Sequence, residues 1–280
     1  MYSIKNDDKS LSEMNPPARL YKYEAFSAQT LENLKAQRIY FGSPSRFNDP
    51  YDCATNPIVL LPSPKEAELI REYYFANEST SEEVKLKFKQ MSVDSLREMF
   101  QRVGSEAISS AVDRFPRERG VSCFSEHNNN LLMWGHYGGK YKGFCLEFST
   151  DYLPFAKAKP VIYVNQVPHT SVTSFLTGSE MDAVTELFYI KSASWSYEKE
   201  WRIVHKNVGT LYQYEAKALI AVYFGPEVSE EALEIIALIL RGQNSSVKLF
   251  RGERSKSDFN VIFNEFGYLT HLEAKDLGLR

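Results

Sequence analysis

Short apolar or alternating stretches recur along the chain, which is the pattern of buried and half-buried β-strands. They occupy residues 19–23, 38–42, 120–125, 142–148, 160–164, 201–205, 218–224 and 247–250. Apolar residues at helical spacing lie at 27–37, 128–137, 180–191 and 229–241, and Ser27 stands in the position of an N-cap. Strands and helices do not alternate regularly, so the pattern favours an α+β fold with a mixed or antiparallel sheet at its core.

The composition of the chain changes at Pro62-Ser-Pro64. Residues 65–118 are charged and carry apolar residues at helical spacing, without a strand signal. We predict two to four helices there, inserted into a single α+β domain that spans residues 19–280. Residues 1–18 are polar and end in Asn-Pro-Pro, and we predict that they form a flexible leader.

Composition and charge narrow the functional classes. The 280 residues include 33 Lys and Arg and 36 Asp and Glu, so the formal net charge is −3. The chain therefore lacks the overall positive charge that would attract nucleic acid. No apolar run approaches the roughly 20 residues of a membrane-spanning helix. Cys53, Cys123 and Cys145 are widely spaced and form no C-x-x-C pair. We expect reduced thiols, no metal site, no membrane partner and a cytoplasmic location.

The first candidate site lies in the block Tyr197–Val204. Alternation along a strand predicts Trp201 and Ile203 in the core and Glu198, Glu200 and Arg202 on the opposite face. Two neighbouring carboxylates beside an arginine suit catalysis that involves a hydroxyl group or a developing cation. The alternative is a ladder of ion pairs on a solvated face.

The second candidate site follows the strand at 38–42, in the block Ser43–Asp52. Asn48, Asp49 and Asp52 offer oxygen ligands for a hydroxyl-rich molecule or a hard cation. The alternative is a stiff turn, in which Asn48 and Asp49 satisfy their own backbone and Arg46 pairs with Asp52.

The third candidate site is the block Leu132–Gly143. His136 is available for proton transfer, and Tyr137 and Lys142 are further candidate ligand contacts, but the glycines lack the spacing of a nucleotide-binding loop. The alternative is a helix end followed by a hairpin, with a structural histidine. We expect Asn48, Asp49, His136 and Glu200 to converge on one cleft.

A basic tract near the end of the chain is a weaker candidate. It offers a contact for a nucleic-acid backbone, although interleaved glutamates favour an ordinary solvated edge. Its members are Arg241, Lys248, Arg251, Arg254 and Lys256.

Five blocks in a fixed order resemble a large bacterial family of unknown function, the domain-of-unknown-function family 2971 (DUF2971). The resemblance spans about residues 20–265 and implies no established activity. The blocks are 20–23, 47–52, 121–126, 133–137 with 142–148, and 195–202.

A second resemblance, at the level of the fold, is to ADP-ribosyltransferases, which are split α+β sandwiches. Those enzymes carry an Arg or His on a first strand, a Ser or Tyr motif on a second, and a glutamate at the start of a later strand. Arg19 or Tyr21, then Ser43 and Ser45, then Glu198-x-Glu200 follow the same order here.

This second resemblance implies an enzyme with NAD as its substrate. Glu200 would be the key carboxylate and Glu198 would orient the acceptor, while Arg19 or Arg46 would hold phosphate. The alternative is a binding or sensing module without catalysis, such as one used in phage defence, whose polar blocks stabilise the fold.

Overall fold

The structure is a computed structural model that describes residues 11–177 and 185–279. The strands are β1 (Arg19–Glu24), β2 (Arg38–Phe41), β3 (Ile58–Val59), β4 (Gly120–Ser125), β5 (Phe144–Ser149), β6 (Lys159–Pro160), β7 (Ile162–Val164), β8 (His169–Thr170), β9 (Ile190–Ser192), β10 (Glu200–His205), β11 (Thr210–Gln213), β12 (Leu219–Phe224), β13 (Lys248–Arg254) and β14 (Val261–Phe266). The α-helices are α1 (Ala28–Lys35), α2 (Pro64–Ala76), α3 (Glu82–Gln90), α4 (Val93–Glu118), α5 (Leu131–His136), α6 (Val172–Leu176), α7 (Glu230–Gln243) and α8 (His271–Asp276).

The described residues form two compact units. The first unit contains residues 11–13, 43–119, 162–177 and 185–194, and the second contains 14–42, 120–161 and 195–279. The single domain over 19–280 stays a prediction, as does the leader, of which residues 1–10 lie outside the described part.

An eight-stranded sheet forms the centre of the second unit, in the order β14-β13-β12-β5-β1-β4-β10-β6. The β12–β13 pair is parallel and the other neighbouring pairs are antiparallel. The predicted α+β class with a mixed sheet is therefore confirmed. β2 and β11 form a separate antiparallel pair in the same unit.

Helices cover both faces of this sheet, and the sequence shows why. On α7, Leu233, Ile236 and Leu240 recur at helical spacing and are buried in the main core, which also contains Trp201 from the sheet. α5 packs its buried Trp134 against the opposite face. β5 runs through the centre, and all six of its residues are buried because both of its faces are covered.

The first unit is mainly helical, and the described chain from 64 to 118 contains α2, α3 and α4. Serine side chains at Ser63, Ser81 and Ser92 accept the first free backbone N–H groups of these helices. Their apolar faces meet α6 in a small core. Two parallel two-stranded pairs, β3–β8 and β7–β9, complete the unit.

Some predicted elements differ from the observed ones. The helix expected over 180–191 falls partly outside the described residues, and its predicted end is wrong because Ile190–Ser192 is strand β9. β14 had no counterpart in the prediction, although it pairs with β13 along six residues. Within the described part of the chain, no helix combines the length and apolar character needed to cross a membrane.

Candidate functional site

The polar block at 197–204 contains the start of β10, and within that strand the side chains alternate between the two faces as predicted. Trp201 and Ile203 lie in the core, and Glu200 and Arg202 point to the opposite face. Arg202 is fully buried and Glu200 is 5% exposed. The Nε and Nη2 atoms of Arg202 donate to the two carboxylate oxygens of Glu200 at 2.6 and 3.0 Å. This bidentate geometry belongs to the stronger class of hydrogen bonds.

Glu198 lies in the turn before β10 and not in the strand itself, so the alternation of side chains along the strand does not set its face. It ends a 3₁₀ turn over Ala193–Glu198. Lys199 then adopts a left-handed backbone with φ of 45°, which interrupts the period of two between the carboxylates. Glu198 is buried, and its Oε1 accepts a 2.6 Å hydrogen bond from the hydroxyl of Tyr137.

His136 ends α5 and lies near the same turn. Its ring is 6.3 Å from that of Trp195 and 6.4 Å from that of Tyr197, measured between centroids. His136 is exposed, and no hydrogen bond to its ring occurs among the described residues. Nothing in this arrangement fixes a tautomer of the imidazole. Lys142 is also exposed and makes no side-chain ion pair within the described part of the chain.

Strand register brings further polar side chains beside Glu200. Glu200 lies directly opposite Ser125 on β4, and Ser125 lies directly opposite Tyr21 on β1. Residues opposite one another in antiparallel strands point to the same face. Tyr21, Ser125 and Glu200 therefore form a row across three neighbouring strands. Ser125 is fully buried, and its hydroxyl donates to the backbone oxygen of Glu198 at 2.6 Å.

A second carboxylate continues this polar face on β5. Glu147 lies opposite Tyr21 and is largely buried. Its Oε2 accepts a 2.6 Å hydrogen bond from the hydroxyl of Tyr223, and its Oε1 is 3.2 Å from the Nε atom of Arg19. Glu147 and Tyr223 were not among the candidates from the sequence. The sequence feature that could have identified Glu147 is that it is one carboxylate inside an otherwise apolar strand.

The tyrosines beside Glu147 have perturbed acidity. Burial, assisted by the Glu147 carboxylate, raises the pKa of Tyr21 to about 12. Burial and the hydrogen bond to Glu147 raise the pKa of Tyr223 above its ordinary value. Both phenols are therefore neutral donors at physiological pH. Arg19 keeps an exposed guanidinium, and its Nη2 atom makes no bond among the described residues.

The candidates in the block Ser43–Asp52 belong to the first unit. Ser43 caps a 3₁₀ turn over Pro44–Arg46 and donates to the backbone oxygen of Pro116. Asp49 is buried and its Oδ1 accepts from the backbone N–H of Tyr51, as the turn interpretation predicts. Its Oδ2 is buried and has no hydrogen-bond partner in the described structure.

Asp52, in the same block, forms a buried ion pair with Lys191 of β9. The Lys191 Nζ and Asp52 Oδ2 atoms are 3.2 Å apart, and neither side chain is more than 4% exposed. Arg46 and Asn48 are exposed. His136 and Glu200 belong to the second unit, so their convergence with Asn48 and Asp49 on one cleft stays a prediction.

The basic tract is largely neutralised within the second unit. Lys248 pairs with Glu265 at 3.2 Å. Three arginines form further pairs with glutamates: Arg241 with Glu273, Arg251 with Glu230, and Arg254 with Glu227. Lys256 makes no ion pair among the described residues. In the same described part, no group of three or more His, Cys, Asp or Glu side chains is arranged to hold a metal ion.

Comparison with known proteins finds one family. The family described as "Protein of unknown function (DUF2971)" matches residues 133–203. This confirms the resemblance to that family over about a quarter of the chain, and the matched range contains His136, Glu147, Glu198 and Glu200. No curated protein matches the chain. No solved structure matches it either.

Proposed function

We propose that the chain is an enzyme that cleaves NAD and transfers its ADP-ribose group, with Glu200 as the key carboxylate. The observation that carries this proposal is the row Tyr21, Ser125 and Glu200 on three neighbouring strands, with Glu200 as the first residue of β10. A glutamate at the start of a strand is what the resemblance to ADP-ribosyltransferases implies. In those enzymes a hydroxyl residue of the second strand belongs to the site, and chain order assigns that position to Ser43. Here β2 pairs with β11 and does not join the large sheet, so we assign the position to Ser125.

The proposed reaction breaks the bond between the nicotinamide nitrogen and the ribose carbon. Nicotinamide leaves as a neutral molecule with the bonding electron pair, and positive charge develops on the ribose. A nucleophile on the acceptor then bonds to the ribose carbon and releases its proton. A fixed carboxylate stabilises such a cation, because its negative charge is already oriented before the reaction.

The contacts of Glu200 suit this role. Arg202 holds both carboxylate oxygens, so the carboxylate cannot rotate freely. Glu198, fixed by Tyr137, would orient the acceptor. Arg19 would hold a phosphate through its exposed guanidinium.

The test is release of nicotinamide from NAD by the full chain, measured by chromatography with water and with candidate protein and nucleic-acid acceptors. We expect Glu200→Gln to lower the rate by about 10²–10³-fold, the range seen when one such electrostatic contact is removed. Glu265→Gln is the matched control, because it removes an exposed carboxylate elsewhere in the same sheet. Both variants are compared at a temperature at which circular dichroism shows them folded. No nicotinamide release by the wild type, or an unchanged rate in Glu200→Gln, would refute the proposal.

A binding or sensing module is the second candidate, and one observation favours it. The Glu200–Arg202 pair is buried and bidentate, which is also how an ion pair stabilises a fold without taking part in chemistry. If NAD is not cleaved and Glu200→Gln only loses stability, this second function is preferred, with phage defence as its setting. For both candidates we infer a bacterial protein from the resemblance to the DUF2971 family, and a cytoplasmic location from its three free thiols.

A further inference from the structure

A groove in the second unit lies between the start of α5 and the loop that joins β13 to β14. Its volume is about 430 Å³, and its walls are formed by residues 127, 129–132 and 259–260. Pockets for small ligands are commonly about 300–1,000 Å³. One wall touches the turn that carries Glu198, because the amide of Asn130 donates to the backbone oxygen of Tyr197 at 3.3 Å.

The two walls are tied together by backbone contacts. The N–H of Val261 donates to the carbonyl of Asn129 at 3.1 Å, and Asn130 forms an isolated antiparallel bridge with Asn260. The side chain of Asn130 also accepts two backbone N–H bonds at the start of α5. The groove therefore exists before a ligand arrives, which lowers the cost of binding.

Some of the residues that line the groove carry groups without partners in the described structure. Phe259 is 98% exposed, although a phenylalanine normally buries its ring. The Oδ1 atom of Asn260 is buried and has no hydrogen-bond partner in the described structure. Asn129 is exposed, and its side-chain amide makes no hydrogen bond among the described residues. A buried acceptor without a donor is costly, so a site of this kind favours a ligand that brings one.

We propose that this groove binds a nucleobase that carries an exocyclic amine, with adenine as the best fit. The ring of Phe259 offers a stacking surface, and bases stack on exposed aromatic side chains irrespective of the sugar. The amine of the base would supply the N–H that the buried Oδ1 atom of Asn260 lacks, when that side chain turns towards the groove. An asparagine amide, such as that of Asn129, matches the adjacent amine and ring nitrogen of adenine.

The charges around the groove indicate that contacts with the base contribute more to the binding affinity than contacts with phosphate. Arg254, near the end of β13, is paired with Glu227, and Arg251 is paired with Glu230. Paired arginines release few counterions and contribute little to phosphate binding. The base can belong to a free nucleotide or to a single strand of nucleic acid. This inference does not depend on NAD cleavage, because it concerns binding alone.

The experiment is calorimetric titration of the full chain with adenosine monophosphate and with inosine monophosphate. The second nucleotide has the same size and phosphate but a carbonyl in place of the amine. We expect saturable binding of the adenine nucleotide, weakened about 5- to 100-fold by Phe259→Ala, as for loss of one base-stacking contact. Leu272→Ala is the matched control, because Leu272 is also highly exposed but lies on α8.

Asn260→Ala tests the hydrogen bond directly. In the wild type the inosine nucleotide should bind about 2- to 10-fold more weakly, the usual effect of losing one hydrogen bond. In Asn260→Ala the difference in affinity between the two nucleotides should become smaller, because the Asn260 acceptor is gone and only the Asn129 amide still contacts the base. An oligodeoxyadenylate that binds more tightly than the mononucleotide, with steep salt dependence, identifies a single strand as the source. Equal affinities identify a free nucleotide.

The proposal is overturned if neither the mononucleotide nor the oligodeoxyadenylate binds saturably. It is also overturned if Phe259→Ala and Asn260→Ala both retain wild-type affinity, since the ligand would then bind elsewhere. Capture of a peptide by the groove, with no affinity for either nucleotide, counts against it as well. None of these measurements involves NAD turnover. The binding proposal can therefore be judged even if the chain does not cleave NAD.

Discussion

Breaking the buried ion pair between Glu200 and Arg202 is expected to destabilise the second unit strongly. Arg202 is completely buried, Glu200 is 5% exposed, and two hydrogen bonds of 2.6 and 3.0 Å join them. Glu200→Gln keeps the size of the side chain but removes the carboxylate charge that pairs with the buried guanidinium. Removing one partner of a buried pair costs about 3–5 kcal/mol in the free energy of unfolding, because the remaining charge is poorly solvated.

A double-mutant cycle separates the pair from its surroundings. Arg202→Met alone removes the guanidinium charge that pairs with the Glu200 carboxylate, and its expected cost is again about 3–5 kcal/mol. The double variant removes both charges, so its loss should be at least about 2 kcal/mol smaller than the sum of the two single losses. Glu265→Gln is the surface comparison. Glu265 and Lys248 are both more than half exposed, and an exposed pair contributes less than about 1 kcal/mol.

Urea unfolding followed by tryptophan fluorescence measures these losses in the correct unit. The three tryptophans, Trp134, Trp195 and Trp201, all belong to the second unit. A loss in Glu200→Gln as small as that in Glu265→Gln would refute the reasoning. Additive losses in the cycle would refute it too, because they would mean that the two side chains do not act on each other.

Three further outcomes are expected. Stability should fall as the pH rises from about 10 towards 12, because the pKa of Tyr21 is raised to about 12 by folding and the unfolded chain releases that proton first; urea midpoints of Tyr21→Phe should show a shallower fall. Gly104→Ala should destabilise the first unit by about 1–3 kcal/mol, measured by circular dichroism, because the new Cβ would lie 2.3 Å from a methyl group of Val172. Thiol titration of the denatured, non-reduced protein should return all three cysteines, and in the folded protein Cys53 and Cys145 should react more slowly than the less buried Cys123.

Local periodicity predicts which residues face the core but not where the period is interrupted. The alternation in Trp201, Arg202 and Ile203 gives the correct faces, because β10 is a regular strand there. Glu198 lies before the strand, beyond the left-handed backbone of Lys199, so the rule does not extend to it. A lysine gives no local warning of positive φ, since glycine and asparagine are the usual residues in that region.

Partners that are distant in the chain could not be predicted from patterns within a segment. Lys191 pairs with Asp52, which lies 139 positions earlier in the chain. Nothing in the sequence around either residue indicates that the other is its partner. Glu147 is similar: its strand is apolar as predicted, yet its contacts with Arg19 and Tyr223 depend on the register of β5 with its neighbours. A buried carboxylate needs a partner, so one in an apolar strand predicts that a partner exists but not which residue it is.

The order of strands in the sheet, unlike their order in the chain, decides which polar residues meet. Chain order pairs the first strand with Ser43, which follows the second. In the sheet, β4 lies between β1 and β10, and Ser125 therefore stands between Tyr21 and Glu200. Antiparallel neighbours can be far apart in sequence, because long connections carry the chain away and back. Chain order alone therefore does not show which hydroxyl lies beside Glu200 in the sheet, because that depends on which strands are neighbours.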